Sequence, residues 1–344
     1  MAVKTNVLKV MQASLLDINE LDQAYALIRP KDPDRALYKL LHRYYPEGVF
    51  VLRKGRKLVS SAYCIGFPTG SGCVGGFFLD HKHGRADSIL KVIRRCVLHL
   101  RTKGCTYVFA SVKEHNLEDL EALRAAGFTE LYKRRTGIIR KSAQVPPDNG
   151  YSALCSQLET REVIERYAKL AVDTPQKGTV AFCFWPHMLF DTSLNYLLNS
   201  KNVFSMRSRK DEGSLVLAQV SSAESAGGRW FILPPDFDVH RSKQIKKVGE
   251  IMLVMGTDIF KPVSATVSQL TSLGAEKVYI YSYEPGDNFA SYVQLGFFFE
   301  RPQIILCRSV GASWPATQNV PKAVVFPTLD QYYQFPDQTR GAKS

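Results

Sequence analysis

Hydrophobic and polar positions along the chain recur with two periods, one helical and one alternating, and the switches between them mark out short helices and strands. Asp17-x-x-Glu20 has the form of a capping box and opens a predicted helix over DINELDQAYALI, where Leu21, Ala24, Tyr25 and Ile28 recur at helical spacing. Leu37–Tyr45 is predicted as a second helix, ended by Pro46. VFVLRKGRKLVSSAYCIGF then alternates around Lys54-Gly55-Arg56, which predicts a hairpin, and Gly72–Asp80 a third strand. In DSILKVIRRCVLHLRTKG, Ile89, Ile93, Cys96 and Leu100 share one face while Lys91, Arg94, Arg95 and Arg101 lie mostly elsewhere. This is the pattern of a long amphipathic helix, stopped at Gly104.

Two stretches half a chain apart end alike, Thr106–Tyr132 and Lys277–Glu300. Each runs from a β-branched and aromatic strand through a polar loop and a short helix to Gly-Phe and a second strand. The pairs Gly127-Phe128 and Gly296-Phe297 suit a left-handed helix stop followed by a buried aromatic. Recurrence of the whole order predicts two copies of one domain. Between them, KSAQVPPDNG at 141–150 has the prolines and turn residues of a linker, and Ser156-x-x-Glu159 caps a new helix to about residue 171. LNYLLNSKNVF, SLVLAQVSS, RWFILPPDF and a long helical region from Ser242 to Leu273, interrupted near Pro262, precede the second copy. The predicted domains are therefore 1–140 and 151–310, with 311–344, which carries four prolines from Pro315 to Pro336, as an extended strap.

A chain of 344 residues is longer than one core usually organises, which agrees with two domains. The excess of 45 Lys and Arg over 32 Asp and Glu gives a net charge of +13 and favours an anionic ligand. The basic clusters lack interleaved aromatics and any recognition motif, which disfavours nucleic acid. Seven cysteines without a C-x-x-C pair are expected as reduced core residues. Neither a charged-then-apolar leader nor a membrane-length apolar run is present in the sequence, so a soluble protein of the cytoplasm is expected.

The order of elements resembles the GNAT superfamily of N-acetyltransferases over most of 7–140 and, more loosely, 150–308. The resemblance implies an α/β fold of two GNAT-like domains in tandem, each with a mixed, mostly antiparallel central sheet flanked by helices. It also implies transfer of an acyl group, acetyl above all, from acetyl coenzyme A to a primary amine of a small molecule or peptide. In that family a loop patterned R-G-x-G-x-G joins a central strand to a helix whose amides hold the coenzyme diphosphate. The matching stretch here is FFLDHKHGRADSIL. Gly84, Ala86 and Ser88 stand at the glycine positions, His83 at the arginine, with Leu79, Arg85 and Asp87 alongside. Asn116, eleven residues before Gly127, matches an asparagine that contacts the pantetheine arm.

The family's acid, a tyrosine four residues before the Gly of Gly-Phe, corresponds to Leu123 in the first copy and Tyr292 in the second. Asp80 and His81 are the first copy's candidates for the base that deprotonates the amine, with Asp236 and Asp238 similarly placed in the second. Pro285 stands where the second copy would need its asparagine, and Asn288 lies nearer. His81 and His83 have no third ligand at useful spacing, so no metal is expected. Since neither copy carries every motif, a catalytically silent binding or regulatory protein is the alternative.

Overall fold

The computed structural model describes residues 8–28, 38–39, 42, 46–66, 71–82, 84, 86–140, 151–154, 179–182, 185–188, 203–208, 215–222, 247–255, 259–284 and 289–310. The linker, the helix expected after Ser156, RWFILPPDF and the C-terminal strap lie outside these residues. The chain divides into two compact units, and the division does not follow the chain. The first gathers the described residues up to Leu131 and then takes back a strand beginning at Gln303; the second holds those from Tyr132 to Pro302.

In the first unit the strands are β1 (Leu8–Gln12), β2 (Val49–Lys54), β3 (Lys57–Gly66), β4 (Ser71–Leu79), β5 (Tyr107–Lys113) and the last of the chain, β15 (Gln303–Ser309). They pair in the order β1-β2-β3-β4-β5-β15, antiparallel except for β4 with β5. The parallel pair needs a crossover, and α2 (Ala86–Thr102) supplies it. Ile89, Ile93, Cys96 and Leu100 of α2 are buried on the sheet, as their spacing predicts.

The first helix, α1 (Leu15–Ile28), begins earlier than the sequence suggests. Its capping box is Ser14-x-x-Asp17: the Ser14 amide donates to Asp17 Oδ2 at 2.7 Å, and the Asp17 amide donates back to Ser14 Oγ at 3.3 Å. Asp17 and Glu20 instead take the guanidinium of Arg53 on β2, with Arg53 Nε 2.6 Å from Asp17 Oδ1. The hairpin turns at Gly55, whose φ is +62°, and 38, 39 and 42 are the described helical residues of the second expected helix.

The second unit pairs β6 (Thr129–Arg140), β13 (Ala275–Glu284), β12 (Lys247–Met255), β11 (Leu215–Ser222), β10 (Val203–Ser208) and β7 (Tyr151–Leu154) in that order. Again one pair is parallel, β12 with β13, and α4 (Phe260–Ser272) crosses between them. Within the helical region expected over 242–273, the described residues form a strand, Lys247–Met255, and then a helix, Phe260–Ser272. Strand β12 is buried on both faces, and a strand so placed loses the alternation that would reveal it. A separate hairpin joins β8 (Thr179–Phe182) to β9 (Trp185–Met188), and β14 (Phe298–Phe299) pairs with β6.

The Gly-Phe signature has a local cause in both units. After α3 (Leu117–Ala125), the Gly127 amide donates to Arg124 O and the Phe128 amide to Leu123 O; after α5 (Phe289–Gln294), Gly296 donates to Val293 O and Phe297 to Tyr292 O. Both glycines have φ near +90°, 86° and 92°, as a Schellman stop requires. The residue after each glycine closes the apolar contact of the motif.

Candidate active site

In both units the central parallel pair is zipped at one end and parted at the other. Residues 71–74 of β4 pair with 107–110 of β5 and then stop, although β4 runs on to Leu79 and β5 to Lys113. Likewise 247–250 of β12 pair with 275–279 of β13, after which β12 stays with β11 and β13 with β6. Each parting leaves two facing strand edges with no ladder pair between them among the described residues. An extended, polar chain could add its own hydrogen bonds there.

A shared glycine aligns the units residue by residue. A Cβ on Gly72 would lie 3.0 Å from Leu100 of α2, and one on Gly249 would lie 2.9 Å from Leu270 of α4, so each lets a crossover helix close on the sheet. Side chains alternate across a strand, so the next residue points to the opposite face. That residue is Cys73 in the first unit and Glu250 in the second. Following the pairing outward, Phe109 corresponds to Tyr279, Ser111 to Tyr281, and Gln303 of β15 to Arg134 of β6. On the other side, Ile65 faces Cys73 where Gln219 faces Glu250.

Glu250 is 1 % exposed, yet both its oxygens are engaged: Gln219 Nε2 donates to Oε2 at 2.5 Å and the Tyr281 hydroxyl donates to Oε1. The Arg134 guanidinium, on a residue 3 % exposed, lies over the Tyr281 ring with Cζ 4.7 Å from the centroid. Burial, and then the carboxylates of Glu300 and Glu250, push the Tyr279 phenol above its ordinary pKa. The second unit thus carries a charged polar row at the point where its strands part. Nothing in the sequence motifs marks Glu250, because its partners Gln219 and Tyr281 come from two separate strands.

The residues expected from the motifs are placed as follows. Leu79 ends β4 in the core, and Asp80 turns the chain: its carboxylate accepts the Lys82 amide at 2.9 Å and its carbonyl accepts the Gly84 amide at 2.7 Å. Two amides of the expected diphosphate loop are thereby used within it. A Cβ on Gly84 would lie 2.5 Å from Leu79 Cδ1, so this glycine packs inward. The first-turn amides of α2 remain the donors, and the exposed carboxylate of Asp87, paired with Lys91 at 2.8 Å, sits among them. Ser88 is buried. His83 and Arg85 lie outside the described residues, as do Asp236, Asp238, Pro285 and Asn288 and the side chain of Ala86.

His81 is 73 % exposed on its side chain and 3.9 Å from Glu118. Asn116 precedes α3 without capping it through its side chain, which donates to Asp119. Tyr292 is 3 % exposed, its ring packed on Phe297 and Phe299 with centroids 6.3 Å away in each case. It fills the same apolar position in its Schellman stop that Leu123 fills in the first unit.

At the second crossover, α4 opens on Phe260 and Lys261 with no acidic residue in its first turn. Pro262 adds no amide to that turn and the Val263 amide donates to Ile259 O, which leaves the Phe260 and Lys261 amides and the Lys261 cation as its possible donors to an anion. Among the described residues, no group of three or more His, Cys, Asp or Glu is placed to hold a metal ion, and the five described cysteines are buried without a disulfide. No described helix is long and apolar enough to cross a membrane.

No protein-family model matches the chain, and no curated protein matches it. Solved structures do. A GCN5-related N-acetyltransferase from Sphaerobacter thermophilus matches 88 % of this chain and 95 % of its own, at 10 % identity and TM-score 0.55. A candidate acetyltransferase from Thermoplasma acidophilum matches 88 % of this chain and 100 % of its own, at 14 % identity and TM-score 0.51. The glucosamine N-acetyltransferase region of a fungal multi-domain β-N-acetylglucosaminidase matches 89 % of this chain and 38 % of its own, at 11 % identity and TM-score 0.55. At such identities the likeness is one of fold. The chain has the GNAT fold, with its strand–crossover helix–strand core present in both units.

Proposed function

We propose that the chain is an N-acyltransferase that moves an acyl group, acetyl first among them, from a coenzyme A thioester to an amine, and that the reaction is centred on the second unit. The observation that carries this reading is Glu250, a buried carboxylate at the last paired rung before β12 and β13 part. The acceptor reaches the enzyme as an ammonium and attacks only when neutral, so a carboxylate beside the reacting centre is the group the reaction needs. Tyr281 and Gln219 hold Glu250 in one orientation by donating to its two oxygens. The pantetheine arm takes the edges left by the parted strands, and the start of α4 with Lys261 takes the diphosphate. Holding amine and thioester together supplies most of the acceleration.

The fold does not require this chemistry, since the first unit closes the same architecture with Cys73, Ser111 and Gln303. Steady-state acetyl transfer tests the reading. Glu250→Gln keeps the shape and one of the two acceptor oxygens and should lower kcat by about a hundredfold or more, while Cys73→Ala should leave kcat unchanged. Equal turnover in Glu250→Gln and the parent would overturn it.

A further inference from the structure

Arg134 belongs to β6, a strand from the first half of the chain, yet it lies in the second unit and reaches the row that holds Glu250. A guanidinium 3 % exposed carries a large desolvation cost. The first unit shows that the scaffold does not call for that charge. There the corresponding positions are Ser111 and Gln303, and they meet in the same way, with the serine hydroxyl 2.9 Å from the glutamine side-chain oxygen. The neutral pair closes the first sheet, and the charged arrangement appears only where Glu250 stands. Selection for packing alone would favour the neutral solution in both places.

A carboxylate and a guanidinium on the same sheet face, with one phenol ring between them, form a template for a molecule with a cation and an anion a few bonds apart. The Tyr281 hydroxyl contacts Glu250, and the face of its ring contacts Arg134. The planar fork of a guanidinium suits a carboxylate best. We propose that the acceptor is a small amino acid, its ammonium toward Glu250 and its carboxylate received by Arg134. This inference rests on the acyltransfer reading for the role of Glu250, but its prediction concerns binding.

Calorimetric titration of the full chain with the common amino acids, in the absence of coenzyme, tests it. At least one should bind at millimolar concentration or below, and the amine made by removing its carboxylate should bind about tenfold to a hundredfold more weakly. Arg134→Gln, which introduces the residue type found at the corresponding position of the first unit, should bring the amino acid down to the affinity of that amine. It should leave the amine itself unaffected, and Arg134→Lys should restore part of the difference. Absence of amino-acid binding, equal affinity for the decarboxylated amine, or equal loss of both ligands in Arg134→Gln would overturn the proposal. If Arg134→Gln fails to fold by near-ultraviolet circular dichroism, the comparison of amino acid with amine on the parent protein decides alone. Binding of an amino acid that depends on Arg134, without acetyl transfer, would sink the acyltransfer reading and the acceptor role with it, and would leave an amino-acid binding site. Transfer to amines regardless of a carboxylate would do the reverse.

Discussion

The two units solve the same packing problem and differ in what they place on it. Gly72 and Gly249 each admit a leucine of the crossover helix, Gly127 and Gly296 each stop a short helix, and the central parallel pair parts after a few rungs in both. On the face away from the crossover helix, the first unit presents Cys73, Phe109, Ser111 and Gln303. The second presents Glu250, Tyr279, Tyr281 and Arg134. Positions that agree between the copies are those the fold needs, so those that disagree are where function resides. A duplicated chain in this way carries its own control.

The largest effect should come from cutting the chain between the copies. β15 supplies seven residue pairs to β5, its Arg308 donates to Ala126 O at the end of α3, and Val310 N donates to Thr106 O. β6 in turn pairs along β13 from Lys133 to Arg140. A fragment of residues 1–140 should therefore lack a cooperative thermal transition, and co-expression with 141–344 should restore it. A 1–140 fragment that melts as sharply as the whole protein would break the description of two interleaved units.

Next in size are the shared glycines. Gly72→Val and Gly249→Val each force a leucine off its sheet and should cost about 1–3 kcal/mol in urea unfolding. The stability losses should be similar, whereas turnover should fall only with Gly249→Val. Loss of turnover with Gly72→Val alone would reverse the assignment of roles.

The smallest effect concerns the first unit only. Burial works against the charge of Asp17, but hydrogen bonds from Ser14 and the Arg53 guanidinium outweigh it and hold the carboxyl below its ordinary pKa. Because the folded value is depressed, its contribution is present above the unfolded value of about 3.9 and is lost as pH falls through the lower folded value. Asp17→Asn should cost about 1–2 kcal/mol at neutral pH. The gap to the parent should close in the acid range; a gap independent of pH would remove the charge from the account.

Much of the architecture was legible in the sequence because it is written locally. The hairpin at Gly55, the amphipathic α2 and the two Gly-Phe stops depend on neighbours within a few residues, and each was found at its predicted place. β12 was hidden because Val248, Ile251 and Met252 fall near helical spacing in a strand buried on both faces. The capping box was displaced by one turn because Asp17 completes a box begun at Ser14, while Glu20 answers Arg53, a residue distant in sequence.

The candidate site was less legible for the same physical reason. Tyr292 stands at a motif position that both copies bury beside the helix stop, where Leu123 stands in the first unit. Glu250, Tyr281, Gln219 and Arg134 belong to four strands spread over nearly half the chain, and only the pairing of those strands assembles them. The exchange of β6 and β15 lies further still from local patterning, since either strand would satisfy the same alternation in its own half.

Hydrogen exchange of the full chain with and without acetyl coenzyme A locates the donor directly, without presuming an acceptor. Protection concentrated in 251–255, 259–263 and 280–284, with 75–90 and 111–113 unchanged, is the expected result. Protection confined to 75–90 and 111–113 would contradict the assignment of the chemistry to the second unit.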